Sequence, residues 1–189
     1  MDKLSKKISS TLKTLRQEHG WSLDMASKKT GVSKAMLGQI ERGESSPTIA
    51  TLWKIVTGFN VSFSTFVDAP SSDARAQIHH DSDFNQIHPQ DDKILIMPVF
   101  AYDKILKFEM FIIELLPGCE HLSASHQKGV IEHVVMVSGE AEILVDGKWR
   151  TLKEKEGIRF NADQAHGYRN RSKVSAILHN VIHYSTLSS

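Results

Sequence analysis

The chain has 189 residues, 40% hydrophobic and 24% charged, with a formal net charge of +1 and a single cysteine. That composition excludes a disordered or collagen-like chain, and Cys119 alone cannot close an intrachain disulfide. No apolar run is long enough to span a bilayer and no signal peptide is read at the start, so the expectation is a cytoplasmic protein without a membrane partner. The near-neutral total hides an asymmetry. Residues 1–67 hold ten Lys and Arg against five Asp and Glu, a net of +5; residues 68–189 hold thirteen against seventeen, a net of −4. A basic head is what contact with nucleic-acid phosphates requires.

In chain order, Leu4, Ile8, Leu12 and Leu15 form one apolar stripe on a first helix. Ser22 caps a second helix, with Asp24 near its positive end. Gly31 falls where that helix must stop and the chain turn sharply. Ser33 caps a third helix, which offers Ala35, Met36, Leu37 and Ile40 to a core and Lys34, Gln39 and Arg42 as polar projections. Glu41 is expected to brace the bundle against Arg16. After Pro47, Ile49, Leu52, Ile55 and Val56 repeat at helical spacing, and Gly58 is expected to end that helix. Ser62 to Val67 are read as a short fifth helix. Two short helices joined by a glycine turn, the second carrying long donors, match the geometry that enters a major groove.

The run Gly31-Val32-Ser33 through Ile40-Glu41-Arg42-Gly43, followed by Pro47-Thr48 and Thr51-Leu52-Trp53-Lys54-Ile55, resembles the helix-turn-helix of the phage-repressor/Cro (XRE-type) family over residues 8–66. The resemblance implies an all-α bundle of five helices over 1–67 that binds double-stranded DNA as a homodimer. It implies that Ser33 meets a phosphate, Lys34 a guanine edge, Ala35 a thymine methyl, Gln39 an adenine or other base edge, and Arg42 a phosphate. One departure is Ala26-Ser27, where the family usually has Leu-Ala.

Residues 68–92 are polar and turn-rich, including His79-His80 and His88-Pro89, and are read as a linker and approach segment. From Lys93 the pattern changes to short strands. Ile94 to Met97, Phe108 to Leu116, Glu132 to Val137, Ala141 to Val145, Trp149 to Leu152, Gly157 to Phe160, His166 to Arg169 and Val174 to Tyr184 alternate or are wholly apolar. Asp146-Gly147 is a hairpin signal. Many short strands without a helix argue for an all-β sandwich or barrel over 93–189.

Pro117-Gly118, His126, Glu132 and Gly139, then Phe160, His166 and Asn170, resemble the two motifs of the cupin family. The resemblance implies a double-stranded β-helix, a jelly-roll barrel with an internal pocket. Family metal sites commonly use two histidines one residue apart, a glutamate and a third histidine. Here the position after next from His126 is Lys128, whose ammonium has no lone pair to give a metal. Glu156-Gly157 and Ala165 are further departures, and His121 stands outside the pattern. Alternation from Glu132 turns Val134 and Met136 inward and His133 outward; from His166 it turns Tyr168 inward. The expected pocket is therefore His126, Lys128, Glu132, His166 and Tyr168, with Lys128 and Glu132 paired. Three readings stand: a pocket for a small-molecule effector without metal, a divalent metal on His126, Glu132 and His166, or a filled barrel used only for dimer contact. The whole is read as a ligand-responsive transcription regulator rather than an enzyme; the alternative is a metalloenzyme of dioxygenase or isomerase type tethered to DNA.

Overall fold

A computed structural model describes residues 3–67 and 93–185. The linker reading of 68–92, with His79-His80, lies outside the described residues. The head contains α1 (Lys3–Glu18), α2 (Leu23–Thr30), α3 (Lys34–Glu41) and α4 (Ile49–Phe59). Its caps follow from the local sequence. The hydroxyls of Ser22, Ser33 and Thr48 accept from the backbone N–H groups of Met25, Met36 and Thr51, each at 3.2 Å. Gly31 takes φ 68°, the left-handed conformation that stops α2. Ile8, Leu12, Ala26, Leu37, Ile40, Leu52 and Ile55 fill the core of the bundle.

Two expectations for the head are corrected. The fifth α-helix is instead a single 3₁₀ turn, Phe63–Thr65. Ser62 makes no side-chain cap to it, and the free N–H groups of Phe63 and Ser64 are taken by the Glu109 carboxylate at 3.0 and 2.9 Å. The turn is held by the barrel rather than by its own ladder. Gly58 does not end α4; the stop is Asn60, at φ 57°. Gly58 serves packing. A Cβ there would lie 2.6 Å from Cα of Thr30, so α4 presses its backbone onto the end of α2.

Among the described residues the second part has nine strands, all paired antiparallel: β1 (Ile94–Asp103), β2 (Phe108–Leu115), β3 (Glu120–Ser123), β4 (Ile131–Ser138), β5 (Glu140–Val145), β6 (Lys148–Lys153), β7 (Gly157–Asn161), β8 (His166–Arg169) and β9 (Ala176–His183). They form a five-stranded sheet in the order β1-β2-β9-β4-β7 and a four-stranded sheet in the order β3-β8-β5-β6. Asp146 and Gly147, both at positive φ, make the tight β5–β6 hairpin. Pro98 is tolerated because β1 is an edge strand. Along β4, Glu132, Val134 and Met136 face in and His133 faces out, as alternation requires.

The apolar core is continuous between head and barrel. Phe63 meets Phe111 edge to face at 5.6 Å, and Trp53 packs on Phe63 at 4.6 Å. Gln127 Nε2 donates to the Thr57 carbonyl at 3.0 Å. The Tyr102 amide donates to Ser64 Oγ at 3.0 Å. Among the described residues, no helix is long and apolar enough to cross a membrane.

Candidate functional site

The exposed face of α3 gathers the sequence-predicted DNA residues. Ser33, Lys34, Ala35, Gln39 and Arg42 are all exposed, while Leu37, Gly38 and Ile40 point inward. Ala35 and Met36, also offered to the core by the sequence reading, belong outside; the rotation that buries Leu37 and Ile40 turns both to solvent. Arg16 makes a bidentate pair with Glu41, at 2.6 and 2.8 Å, fixing α3 to α1. Two of the donors carry carboxylate partners. Lys34 Nζ lies 2.9 Å from Asp24 Oδ2, with both side chains more than half exposed. Arg42 holds Glu44 through two bonds of 2.7 and 2.6 Å. Exposed pairs contribute about 0–1 kcal/mol, so either cation can exchange its partner for a phosphate or a base edge.

Inside the barrel, Glu132 on β4 is the hub. His126 Nε2 donates to Oε1 at 2.9 Å, and His166 Nε2 lies 3.3 Å from the same oxygen. Tyr168 donates its hydroxyl to Oε2 in a short hydrogen bond, and Asn180 Nδ2 reaches Oε2 at 3.0 Å. His166 Nδ1 donates to the Gln164 carbonyl at 2.9 Å, which aims Nε2 at Glu132. The donor atoms of His126, Glu132 and His166 lie within 4.8 Å of one another, and all three residues are buried.

Electrostatics couple this group. Burial works to raise the Glu132 carboxyl, but the charge of His166 and the hydrogen bonds from both histidines outweigh it and hold it well below the usual carboxylate range. Burial opposes a charged His166, yet the Glu132 carboxylate raises it. Burial, reinforced by the same carboxylate, pushes Tyr168 well up. Carboxylate and imidazole thus favour each other's charged forms, with Tyr168 and Asn180 donating to the same carboxylate.

Lys128 is corrected. It sits exposed in the turn at 127–129, does not line the cavity, and makes no pair with Glu132. The chain leaves the strand alternation there, with Gly129 at φ 85°. Sequence reasoning missed Asn180, Ser123 and Trp53, and left His121 outside the set; all four line the cavity beside the triad, among Ile96, Phe111 and Ile182. Asn180 carried a signal, being polar at an inward position between Leu178 and Ile182. Trp53 carried none, because it comes from α4 of the head. Its indole stacks on the His126 ring at 4.4 Å.

A glycine-turned pair of capped helices with a polar exposed face, joined to a jelly-roll barrel holding two histidines and a carboxylate, defines a helix-turn-helix regulator class with a cupin-type second domain. The comparisons agree with the geometry. The helix-turn-helix family pattern matches residues 12–66 and the cupin domain pattern matches residues 111–182. The chain is 50% identical, over 97% of its own length and 98% of the relative's, to the HTH-type transcriptional regulator SutR of Escherichia coli K12. A crystal structure of an HTH_3 family transcriptional regulator from Vibrio cholerae superposes with a TM-score of 0.83 at 39% identity, covering 97% of this chain and 98% of that one. The chain therefore belongs to the XRE-type helix-turn-helix transcriptional regulators that carry a cupin domain. It is a regulator rather than an enzyme. The likeness to a predicted oxalate decarboxylase from Thermotoga maritima, at 15% identity and a TM-score of 0.50, speaks for the barrel fold alone.

Proposed function

We propose that the protein is a sequence-specific, dimeric DNA-binding regulator whose barrel binds a small effector at the His126–Glu132–His166 group. The observation that carries the DNA reading is the outward face of α3. Base-reading residue types, Gln39 and Lys34, stand together there, beside a helix start capped by Ser33 and an Arg42 at the helix end. Gln39→Ala is expected to cost about 1–3 kcal/mol on cognate DNA and little on scrambled DNA. Arg42→Ala should weaken both about equally. Gel-shift titration of the two variants on both duplexes decides; equal loss on both DNAs for Gln39→Ala removes its base-reading role.

Dimerisation is supported by the outer face of the five-stranded sheet. Its central outward positions include Met110, Ile112, Val135, Val137, Ile177 and Val181, with His133 and His179 among them, all at least partly exposed. Two heads on one two-fold axis suit operator half-sites about one helical turn apart.

The residues of the barrel fit a divalent ion. Two imidazoles and one carboxylate converge, and Asn180 Oδ1 is buried without a hydrogen-bond partner among the described residues. His126, Glu132 and His166 would hold the ion, which would supply positive charge and open positions for an oxygen or nitrogen donor of an effector. Tyr168 and Asn180 orient the carboxylate from behind. The space beside the triad is about 20 Å³, enough for about one water or ion and not for a metabolite as the walls stand.

A further inference from the structure

The wall that limits the barrel site belongs to the other domain. Of the residues lining the 20 Å³ cavity, Trp53 comes from α4 and every other one from the barrel. The same indole borders an open cleft of about 320 Å³ between the domains, lined also by Lys29, Thr30, Lys54, Thr57, Ala124 and Ser125. Trp53 is thus the partition between the polar group of the barrel and the wider cleft between the domains. It is 8% exposed and lies directly on the ring of His126, one of the three donors. It cannot swing freely, since Phe63 also packs on it at a centroid distance of 4.6 Å.

α4 cannot yield alone either. Gly58 presses its backbone onto Thr30 of α2, so a displacement of α4 carries the helix-turn-helix with it. Besides the shared apolar core and the Phe63–Phe111 contact, the hydrogen bonds joining head to barrel include Gln127 to the Thr57 carbonyl, the Tyr102 amide to Ser64, and the grip of Glu109 on the 3₁₀ turn.

We propose that Trp53 is the gate of the barrel site and that the DNA-binding domain carries it. Exchange of the occupant with solvent requires the head to lift Trp53 off His126. An occupant larger than one ion then stays only with the head displaced, so ligand binding and the docked head arrangement are linked alternatives. The inference rests on the reading that His126, Glu132 and His166 form the ligand site.

The test uses the full chain and Co²⁺ alone, followed by the visible absorption of the bound ion. Loading is timed by rapid mixing and release by excess EDTA. Trp53→Ala is expected to speed both by at least about tenfold, a barrier about 1.4 kcal/mol lower, with the equilibrium affinity nearly unchanged. Trp53→Phe keeps a ring over His126 and should stay near wild type. Should Trp53→Ala fail to fold, Gln127→Ala removes the bond to the Thr57 carbonyl while keeping both Trp53 and His126, and should accelerate exchange in the same sense. If Co²⁺ binds and neither Trp53→Ala nor Gln127→Ala changes the rates, the gate is overturned while the ligand site stands. If wild type binds no Co²⁺, or His166→Ala binds it equally well, the site reading falls and the gate falls with it.

Discussion

Two carboxylates, Glu109 and Glu132, are almost wholly buried among the described residues, and their surroundings push them in opposite directions. Glu132 is matched by a histidine charge. The donors to Glu109 are neutral: Tyr184 Oη, in a short hydrogen bond, the amides of Phe63 and Ser64, and the Ser64 side chain. Burial therefore wins and raises it above the model-compound value of 4.5. A raised carboxyl keeps its proton in the folded state where the unfolded chain has lost it. Its contribution to stability is largest below 4.5 and declines as pH rises through the folded value. His166, also raised, declines similarly only above its ordinary 6.5. Glu109→Gln cannot ionise, so the difference in thermal midpoint between wild type and this variant should move in favour of the variant as pH climbs from 4.5 toward 6.5. A constant difference across that window would show that Glu109 does not titrate there. Inward polar residues of this kind are readable from strand alternation, as Glu109 and Asn180 both are. Lys128 was misplaced because it stands at the family's second-histidine position, and here that position falls in an exposed turn. Trp53 was unreadable as a site residue because helical spacing assigns it to a core, and the core it joins is shared with the barrel.

At the level of elements, the caps and the register of α2 and α3 were legible because each depends on a few neighbouring residues. Ser22, Gly31 and Ser33 behave as their chemistry requires. The end of α4 was not legible. Gly58 reads as a stop by propensity, yet it is a contact between helices that sequence spacing does not display. The two accounts predict opposite signs. As an ordinary helix position, Gly58→Ala would stabilise by about 1 kcal/mol. With a Cβ forced to 2.6 Å from Thr30 Cα and 2.8 Å from the Lys29 carbonyl, it should instead destabilise the fold by about 1–3 kcal/mol. Chemical denaturation of the variant decides between them, and a gain in stability would mean the α2–α4 contact is looser than described. The fifth helix failed for a related reason: its first amides answer to a carboxylate 45 residues away, on β2. β3, absent from the sequence reading, is four residues long and pairs only with β8, too brief for a periodic signal.

For the whole molecule, the apolar outer face of the five-stranded sheet is the feature that a lone chain leaves unexplained. Val135 stands opposite His179, and His179 opposite Ile112, so the patch runs across three adjacent strands without a like-charged cluster. A two-fold partner would bury it isologously, each copy offering the same residues. That arrangement would also bring two heads to one DNA site, where linkage of the second contact typically multiplies affinity about 10²-fold or more over a single head. Val181→Glu, at the centre of the face, should therefore do two things together. It should shift the protein to a monomer by analytical ultracentrifugation, and it should lower affinity for a two-half-site operator by that factor while leaving single half-site binding near wild type. Leu122→Glu, on the four-stranded sheet and more open to solvent than Val181, is the control for a charge placed on the barrel surface. A Val181→Glu protein that remains dimeric and binds the full operator as before would place the two-fold contact elsewhere on the molecule.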